Sequence, residues 1–168
     1  MTGCELYLVR HAIAADRGPD WPNDARRPLT AHGITRFQRA ADGLVAIGDV
    51  SLDAIFTSPL VRAVQTADLL AAAFEAPPPV SVLQALEPGH GPAAVLDALT
   101  REPRRRRLAL VGHEPDLGEL VSHLLGARSP VPFKKGGICR IDVHSLPPSR
   151  AGTLVWFLPP RVLRRLDR

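Results

Sequence analysis

ELYLVRHA, at residues 5–12, is the stretch from which the fold and the site of this chain can be predicted. Its apolar part ends at a cation followed by an imidazole, Arg10 and His11. A continuous apolar run is typical of a strand buried on both faces of an α/β sheet, and such sheets bind ligands at the carboxyl ends of their strands. We therefore expect both side chains at the mouth of a crevice. An Arg-His pair alone also fits a strand end that meets water, so the interpretation depends on the rest of the chain.

Length and composition predict a single domain over residues 1–168. The hydrophobic fraction of 45% is ordinary for a globular protein with one core. No apolar run approaches the roughly 20 residues that cross a bilayer. The first residues lack the basic and apolar segments of a secretory signal, and Cys4 and Cys139 follow no metal-binding or redox spacing. We expect a cytoplasmic protein with incidental reduced thiols and no membrane partner.

The net charge of +4 comes largely from two arginine clusters. One comprises Arg101 and Arg104 to Arg107, and the other comprises Arg161, Arg164, Arg165 and Arg168. Basic runs can bind nucleic acid, but most are solvated surface. Because the first cluster has no interleaved aromatic residues on which bases could stack, we favour surface over a nucleic-acid site.

Strand and helix patterns alternate along the chain. Strands are predicted at 6–9, 53–58, 80–83, 108–112, 138–143 and 153–158. Helices are predicted at about 30–47, 59–74, 93–101 and 115–126, with Thr30 as an N-cap, Pro59 in a first turn and Gly33 weakening the first helix. This alternation is typical of a three-layer α/β/α fold with a mainly parallel central sheet. The Pro-rich loop at 13–29 directly follows the Arg-His pair, as a loop framing a site would.

Polar residues end three of these strands, and the pattern places them at one edge of the sheet. They are Arg10 with His11, Ser58 with Arg62, and His113. Two arginines, two histidines and two helix N-termini suit a dianion, most naturally a phosphoryl group. Arginine offers forked donors to phosphate oxygens, and a neutral histidine nitrogen can act as a nucleophile.

No metal or other cofactor is expected at this edge. Asp16, Asp20, Asp24 and the remaining histidines show no metal-ligand spacing. Phosphoryl transfer needs mainly in-line positioning and stabilisation of the equatorial oxygens. We expect Arg10, Arg62 and a protonated His113 to supply that charge.

Three blocks of the sequence resemble the histidine phosphatase superfamily, in the same order and over nearly the whole chain. They are LVRHA at 8–12, SPLVRAVQT at 58–66 and VGH at 111–113. The short length, RPLT at 27–30 and EP at 114–115 are similar to its small SixA-type branch, which contains phosphohistidine phosphatases. The resemblance implies a phosphoglycerate mutase-like fold in which His11 becomes phosphorylated. It also implies that Arg10, Arg62 and His113 bind the transferred group.

Four further positions are less settled by the resemblance. Ala12 stands where the family most often has glycine, and its methyl group narrows the pocket. Glu87 is either the general acid, as the loop carboxylate of larger members is, or an exposed loop acid. Ser58 is a candidate phosphate ligand, while Arg27 extends the anion site, orients the entry loop or pairs with Asp24.

The function implied is a metal-independent phosphatase with a phosphohistidine intermediate. Its substrate would be phosphohistidine in a protein or a small phosphorylated molecule. A phosphoglycerate mutase-like phosphotransferase is one alternative, although the chain is short for the loops that retain an intermediate. A phosphate- or nucleic-acid-binding module without catalysis is another alternative. The presence of all four core residues of the site, which are Arg10, His11, Arg62 and His113, argues against it.

Overall fold

The computed structural model describes residues 3–167 and centres on a mixed sheet of six strands. These are β1 (Cys4–Arg10), β2 (Ala54–Thr57), β3 (Val80–Val82), β4 (Arg107–Gly112), β5 (Ile138–Val143) and β6 (Thr153–Leu158). Their spatial order is β3-β2-β4-β1-β5-β6. The first four strands run parallel, whereas β5 pairs antiparallel with β1 and β6 pairs antiparallel with β5. The prediction of a mainly parallel sheet is confirmed.

Five α-helices cover the two faces of the sheet within the described residues. They are α1 (Ala31–Val45), α2 (Val61–Ala72), α3 (Gly91–Thr100), α4 (Asp116–Leu125) and α5 (Pro160–Leu166), and short 3₁₀ turns occur at Asp24–Arg26 and Gln84–Leu86. Helices α1, α2 and α5 share one core, and α3 and α4 share the other. The side chains of β1 alternate between these cores: Leu6 and Leu8 face one, Tyr7 and Val9 the other. This explains why the middle of β1, residues 6–9, is an uninterrupted apolar run, and it confirms the three-layer architecture.

Helix α1 begins where the sequence predicts, because the Thr30 hydroxyl accepts a hydrogen bond from the Gly33 amide at 2.9 Å. Gly33 was expected to weaken this helix, but close packing requires it there: a Cβ would overlap the Ile13 carbonyl. Gly43 similarly lets the Leu163 carbonyl of α5 approach the helix. Both glycines therefore allow neighbouring backbone to come close.

The structure differs from the sequence analysis at the start of α2 and at α5. Pro59 does not lie in the first turn of α2, because the helix begins at Val61 after an extended Leu60. The sequence analysis does not predict helix α5, which carries three arginines of the second cluster. Leu163 anchors it in the core, fully buried. A proline at the first helical position was the available signal.

Cys4 and Cys139 are buried free thiols. In the part of the chain that the structure describes, no helix combines the length and the apolar character that a membrane crossing requires.

Candidate active site

His11 follows β1 and is almost completely buried at the carboxyl edge of the sheet. Its amide donates to the Gly112 carbonyl at the end of the neighbouring strand, at 3.1 Å. Its ring Nδ1 lies 2.7 Å from the Ala12 carbonyl oxygen. A carbonyl can only accept a hydrogen bond, so we assign the ring hydrogen to Nδ1. Nε2 then keeps a free lone pair, as a nucleophile requires.

His113 follows β4, which lies next to β1, and the two imidazole centroids are 5.1 Å apart. Its Nε2 is 2.8 Å from the Ser58 hydroxyl, which also accepts a weak hydrogen bond from the Leu60 amide at 3.3 Å. We assign the Ser58 hydroxyl as the donor to Nε2, and with this assignment the ring hydrogen of His113 lies on Nδ1. Ser58 thus contacts His113 and orients its ring.

Arg62 lies in the first turn of α2 and is 3% exposed. Its two terminal nitrogens donate to Asp24, one to the backbone carbonyl at 2.8 Å and one to the carboxylate at 2.9 Å. Partial burial tends to raise the pKa of Asp24, but the hydrogen bonds and charges of Arg27 and Arg62 outweigh it, so this pKa lies below its usual value. The sequence does not reveal this pair, because it joins a loop to a helix 38 residues away.

The two ends of the loop that carries Asp24 are joined to each other, and one end is also bound to α2. A β-bridge joins Ala14 to Leu29, and the Leu29 amide donates to the Gln65 side chain at 2.7 Å. Arg27 spans the loop: it pairs with Asp24 at 2.9 Å and donates to the Ala15 carbonyl at 2.7 Å. Of the roles considered for Arg27, these contacts match the pairing with Asp24 and the orientation of the loop.

Arg10 extends from the end of β1 toward the segment that precedes β5. Its Nη1 donates to the Phe133 carbonyl at 2.6 Å. Burial lowers its pKa, while the charge of Glu114 raises it. Glu114 also accepts a hydrogen bond from the Gly118 amide at 3.0 Å, and burial raises the pKa of this carboxyl above its usual value.

Three buried side-chain nitrogens lack a hydrogen-bond partner within residues 3–167. They are Arg10 Nε, Arg62 Nε and His113 Nδ1. An unpaired buried donor costs about 1–3 kcal/mol, and native structures contain few of them. That all three belong to residues predicted for the site indicates an acceptor-rich ligand beside His11.

Both imidazoles are neutral at pH 7. Burial and the charges of Arg62 and Arg10 lower the pKa of His11 to about 4, although its bond to the Ala12 carbonyl acts in the opposite direction. Burial, His11 and Arg62 lower the pKa of His113 to about 3. These pKa values favour a neutral His113 in the absence of a bound anion, whereas the sequence analysis expects a protonated ring during phosphoryl transfer. The neutral ring instead offers its Nδ1 hydrogen as a donor.

Ala12 contributes its backbone to the site. Its amide donates to the Thr66 hydroxyl at 3.0 Å, and that hydroxyl donates to the Arg62 carbonyl at 2.7 Å. One side chain on α2 thus links the segment after β1 to the helix that carries Arg62. Thr66 was not recognised as a site residue, although it lies within the SPLVRAVQT block.

Glu87 lies at the end of the Gln84–Leu86 turn, with 40% of its side chain exposed. Its carboxylate accepts a hydrogen bond from the side-chain Nε2 of Gln84 at 2.7 Å and is 3.9 Å from the His90 ring. Among the described residues, its polar contacts are with this loop and not with the four core residues. Residues 3–167 also contain no group of three His, Cys, Asp or Glu side chains placed to hold a metal ion.

A neutral imidazole surrounded by arginine and histidine donors defines a centre suited to phosphoryl transfer, at the sheet edge where α/β enzymes bind ligands. Residues 6–87 match the sequence model of the histidine phosphatase superfamily (branch 1). The chain belongs to this superfamily and is a phosphatase.

Two relatives and one solved structure cover most of the chain. An uncharacterized protein of Picosynechococcus sp. (strain PCC 7002) is 41% identical over 152 residues, which are 84% of this chain and 90% of that protein. The phosphohistidine phosphatase SixA of Escherichia coli K12 is 30% identical over 159 residues, or 93% and 94% of the two chains. The structure of the protein histidine phosphatase SixA complexed with tungstate has a TM-score of 0.80 at 26% identity, covering 95% of this chain and 99% of that one.

Proposed function

We propose that this phosphatase transfers the phosphoryl group of its substrate to His11 Nε2 and then to water, without a metal ion. The observation that carries the proposal is the coincidence of a free imidazole lone pair with three unpaired buried donors, Arg10 Nε, Arg62 Nε and His113 Nδ1. Two guanidinium charges and a neutral donor match the equatorial oxygens of a transferring phosphoryl group.

The reaction has two half-steps. In the first, the Nε2 lone pair of His11 attacks phosphorus in line, and the leaving group departs with the electron pair of its bond to phosphorus. In the second, water attacks phosphorus on phosphorylated His11 and gives one proton to the solvent, while the P–N bond breaks with its electron pair returning to Nε2 and inorganic phosphate is released. Asp24 holds Arg62 in place in both steps through its two hydrogen bonds.

The substrate class that we favour is phosphohistidine in a protein. Its leaving group, an imidazole, departs readily once it is protonated, so the reaction depends less on an enzymic acid than hydrolysis of an alkyl phosphate does. This requirement agrees with the half-exposed position of Glu87 and its hydrogen bond to Gln84. The similarity to SixA, a phosphohistidine phosphatase in Escherichia coli K12, supports the same class.

The test is a substrate panel assayed in EDTA. Phosphohistidine, phosphoserine, sugar phosphates and nucleotides are compared by kcat/KM, with tungstate as a competitor. We expect phosphohistidine to be the best substrate, EDTA to leave the rate unchanged and tungstate to inhibit competitively as a phosphoryl mimic. Loss of activity in EDTA that a divalent metal restores would refute the mechanism, and a sugar phosphate as the best substrate would refute the substrate class.

A further inference from the structure

A cavity of about 370 Å³ adjoins the active site on the side of α1 and α5. It shares Arg10 and Ala12 with the site. Its remaining lining includes the apolar side chains of Ile13, Phe37 and Pro160. Its size falls within the range of small-molecule pockets, and its apolar walls with a polar rim are typical of them.

Four cations surround this cavity: Arg36, Lys134, Lys135 and Arg164. Arg36 and Arg164 are half-buried and the lysines are exposed. None of the four forms an ion pair with a carboxylate of residues 3–167.

The Asp167 carboxylate is paired with an arginine outside this group of four. Asp167, which follows α5, pairs with Arg39 at 3.4 Å. Burial and the charges of Arg36 and Arg39 lower the pKa of Arg164. Both desolvation and repulsion between cations therefore oppose the positive charge of Arg164. Cations crowded in this way favour an anion between them.

The backbone ties this cavity to the nucleophile. The Gly136 amide donates to the carbonyls of Arg10 and His11, at 3.1 Å each. Gly136 has a φ of +77°, and a Cβ there would approach the Phe37 ring to 3.2 Å. This turn holds Lys135 close enough for its charge to lower the pKa of His11.

We propose that this cavity binds a second anionic group of the substrate, a carboxylate or phosphate on an apolar body next to the transferred phosphoryl group. The inference rests on the proposed function, since it makes His11 and the cavity parts of one substrate site. Arg36 and Arg164 would bind the second anion and Phe37 would pack against the group that carries it. The substrates favoured are then phosphorylated compounds with a neighbouring acid, either a small molecule or an acidic side chain beside a phosphohistidine.

Two non-hydrolysable probes test the cavity by calorimetry: phenylphosphonate and 3-carboxyphenylphosphonate. Charge-assisted hydrogen bonds of the usual strength predict that the carboxylated probe binds the wild type about 10–100-fold more tightly. The double variant Arg36→Gln/Arg164→Gln should lose this preference and retain its affinity for phenylphosphonate. Arg161→Gln is the matched control, because Arg161 is exposed, lies one turn before Arg164 and does not line the cavity.

Equal binding of the two probes to the wild type, or a preference that survives in the double variant, would overturn the inference. If the double variant does not fold, as judged by circular dichroism, Lys134→Gln/Lys135→Gln removes two exposed cations of the same cavity and should reduce the preference at least threefold. Turnover of phosphohistidine is measured separately, so a failure of the proposed function is not confused with a failure of the cavity.

A second experiment tests whether the second anionic group belongs to a protein side chain or to a small molecule. Phosphohistidine peptides with Glu or Gln two residues from the phosphorylated position are compared by kcat/KM. A Glu preference that disappears in Arg36→Gln/Arg164→Gln assigns the anion to a protein side chain. A preference confined to the aryl probes assigns it to a small molecule.

Discussion

Arginines lie at both ends of the parallel strands, but their burial and their pairing differ between the two ends. At the amino end, Arg107 pairs with Asp53 at 3.1 Å, Arg101 pairs with Asp97, and Arg104, Arg105 and Arg106 are exposed. At the carboxyl end, Arg62 is almost completely buried, and both it and Arg10 keep a buried Nε without a partner among the described residues.

This difference shows that the number of cations does not locate the site. The amino end has a run of four consecutive arginines, 104–107, yet its charges are solvated or paired, and pairs of this kind contribute little. Buried arginines with free donors are stable only if the surrounding structure compensates them or a ligand accepts their hydrogen bonds. The predictions below contrast the two ends, beginning with the largest effect.

Substitution of the nucleophile should have the largest effect. With a radiolabelled substrate, the wild type should acquire a label that is labile in acid and stable in base, as phosphohistidine is. His11→Ala should abolish both the label and turnover, since no other lone pair replaces Nε2. His32→Ala, on the exposed surface of α1, should abolish neither. A label that persists in His11→Ala would contradict the assignment of the nucleophile.

Removal of one charge at each end of the sheet should separate the two arginine populations. Arg62→Ala should lower kcat by about 10²–10³-fold, because it removes a preorganised donor to the transition state. Arg105→Ala, at the amino end, should leave kcat within about twofold of the wild type. Steady-state kinetics on one substrate decide the matter, and equal losses would mean that the site has been placed at the wrong end.

Much of the fold and the site's core could be predicted from the sequence because local patterns determine them. An apolar run with a polar end identifies a buried strand and its ligand edge, and three such ends bring His11, Arg62 and His113 together. Each of these signals lies within a few consecutive residues.

Other features depend on approaches between distant segments and could not be predicted. The Asp24–Arg62 pair joins a loop to α2. The neutrality of His113 follows from burial and from charges of separate elements. The cavity beside the active site lies between α1 and α5, and α5 packs on α1 through Gly43. Helix α5 is too short for its apolar spacing to predict this packing.

Stability should depend on pH through the two histidines of the carboxyl end. Their folded pKa values, about 4 for His11 and about 3 for His113, lie below the unfolded value of 6.5. The unfolded chain therefore binds more protons below pH 6.5, and the free energy of unfolding falls as the pH drops from about 6.5 toward 4. At 1.36 kcal/mol per pH unit and histidine, the loss between pH 7 and pH 5 is about 2–4 kcal/mol.

Denaturant unfolding at pH 7, 6 and 5 measures this slope. The double variant His11→Asn/His113→Asn should lose clearly less stability over the same range, because it lacks the groups that take up the protons. Parallel slopes for the variant and the wild type would show that the buried imidazoles are not the source.

The smallest effect is expected at Glu87, whose part in the site is the least settled. Glu87→Gln keeps the size of the side chain and its polarity but cannot give up a proton. On a phosphohistidine peptide we expect kcat to change by less than about threefold, because a protonated imidazole leaves without help from a strong acid. A much larger loss on this substrate would contradict the proposed dependence on the leaving group.

An alkyl phosphate, which releases an alkoxide, separates the two possible roles of Glu87. If Glu87 is a general acid, Glu87→Gln should lower kcat on this substrate by about 10²–10⁴-fold, and if it is an exposed loop carboxylate, kcat should not change. An activated aryl phosphate serves as the control, since its leaving group needs no proton and its rate should be the same in both proteins.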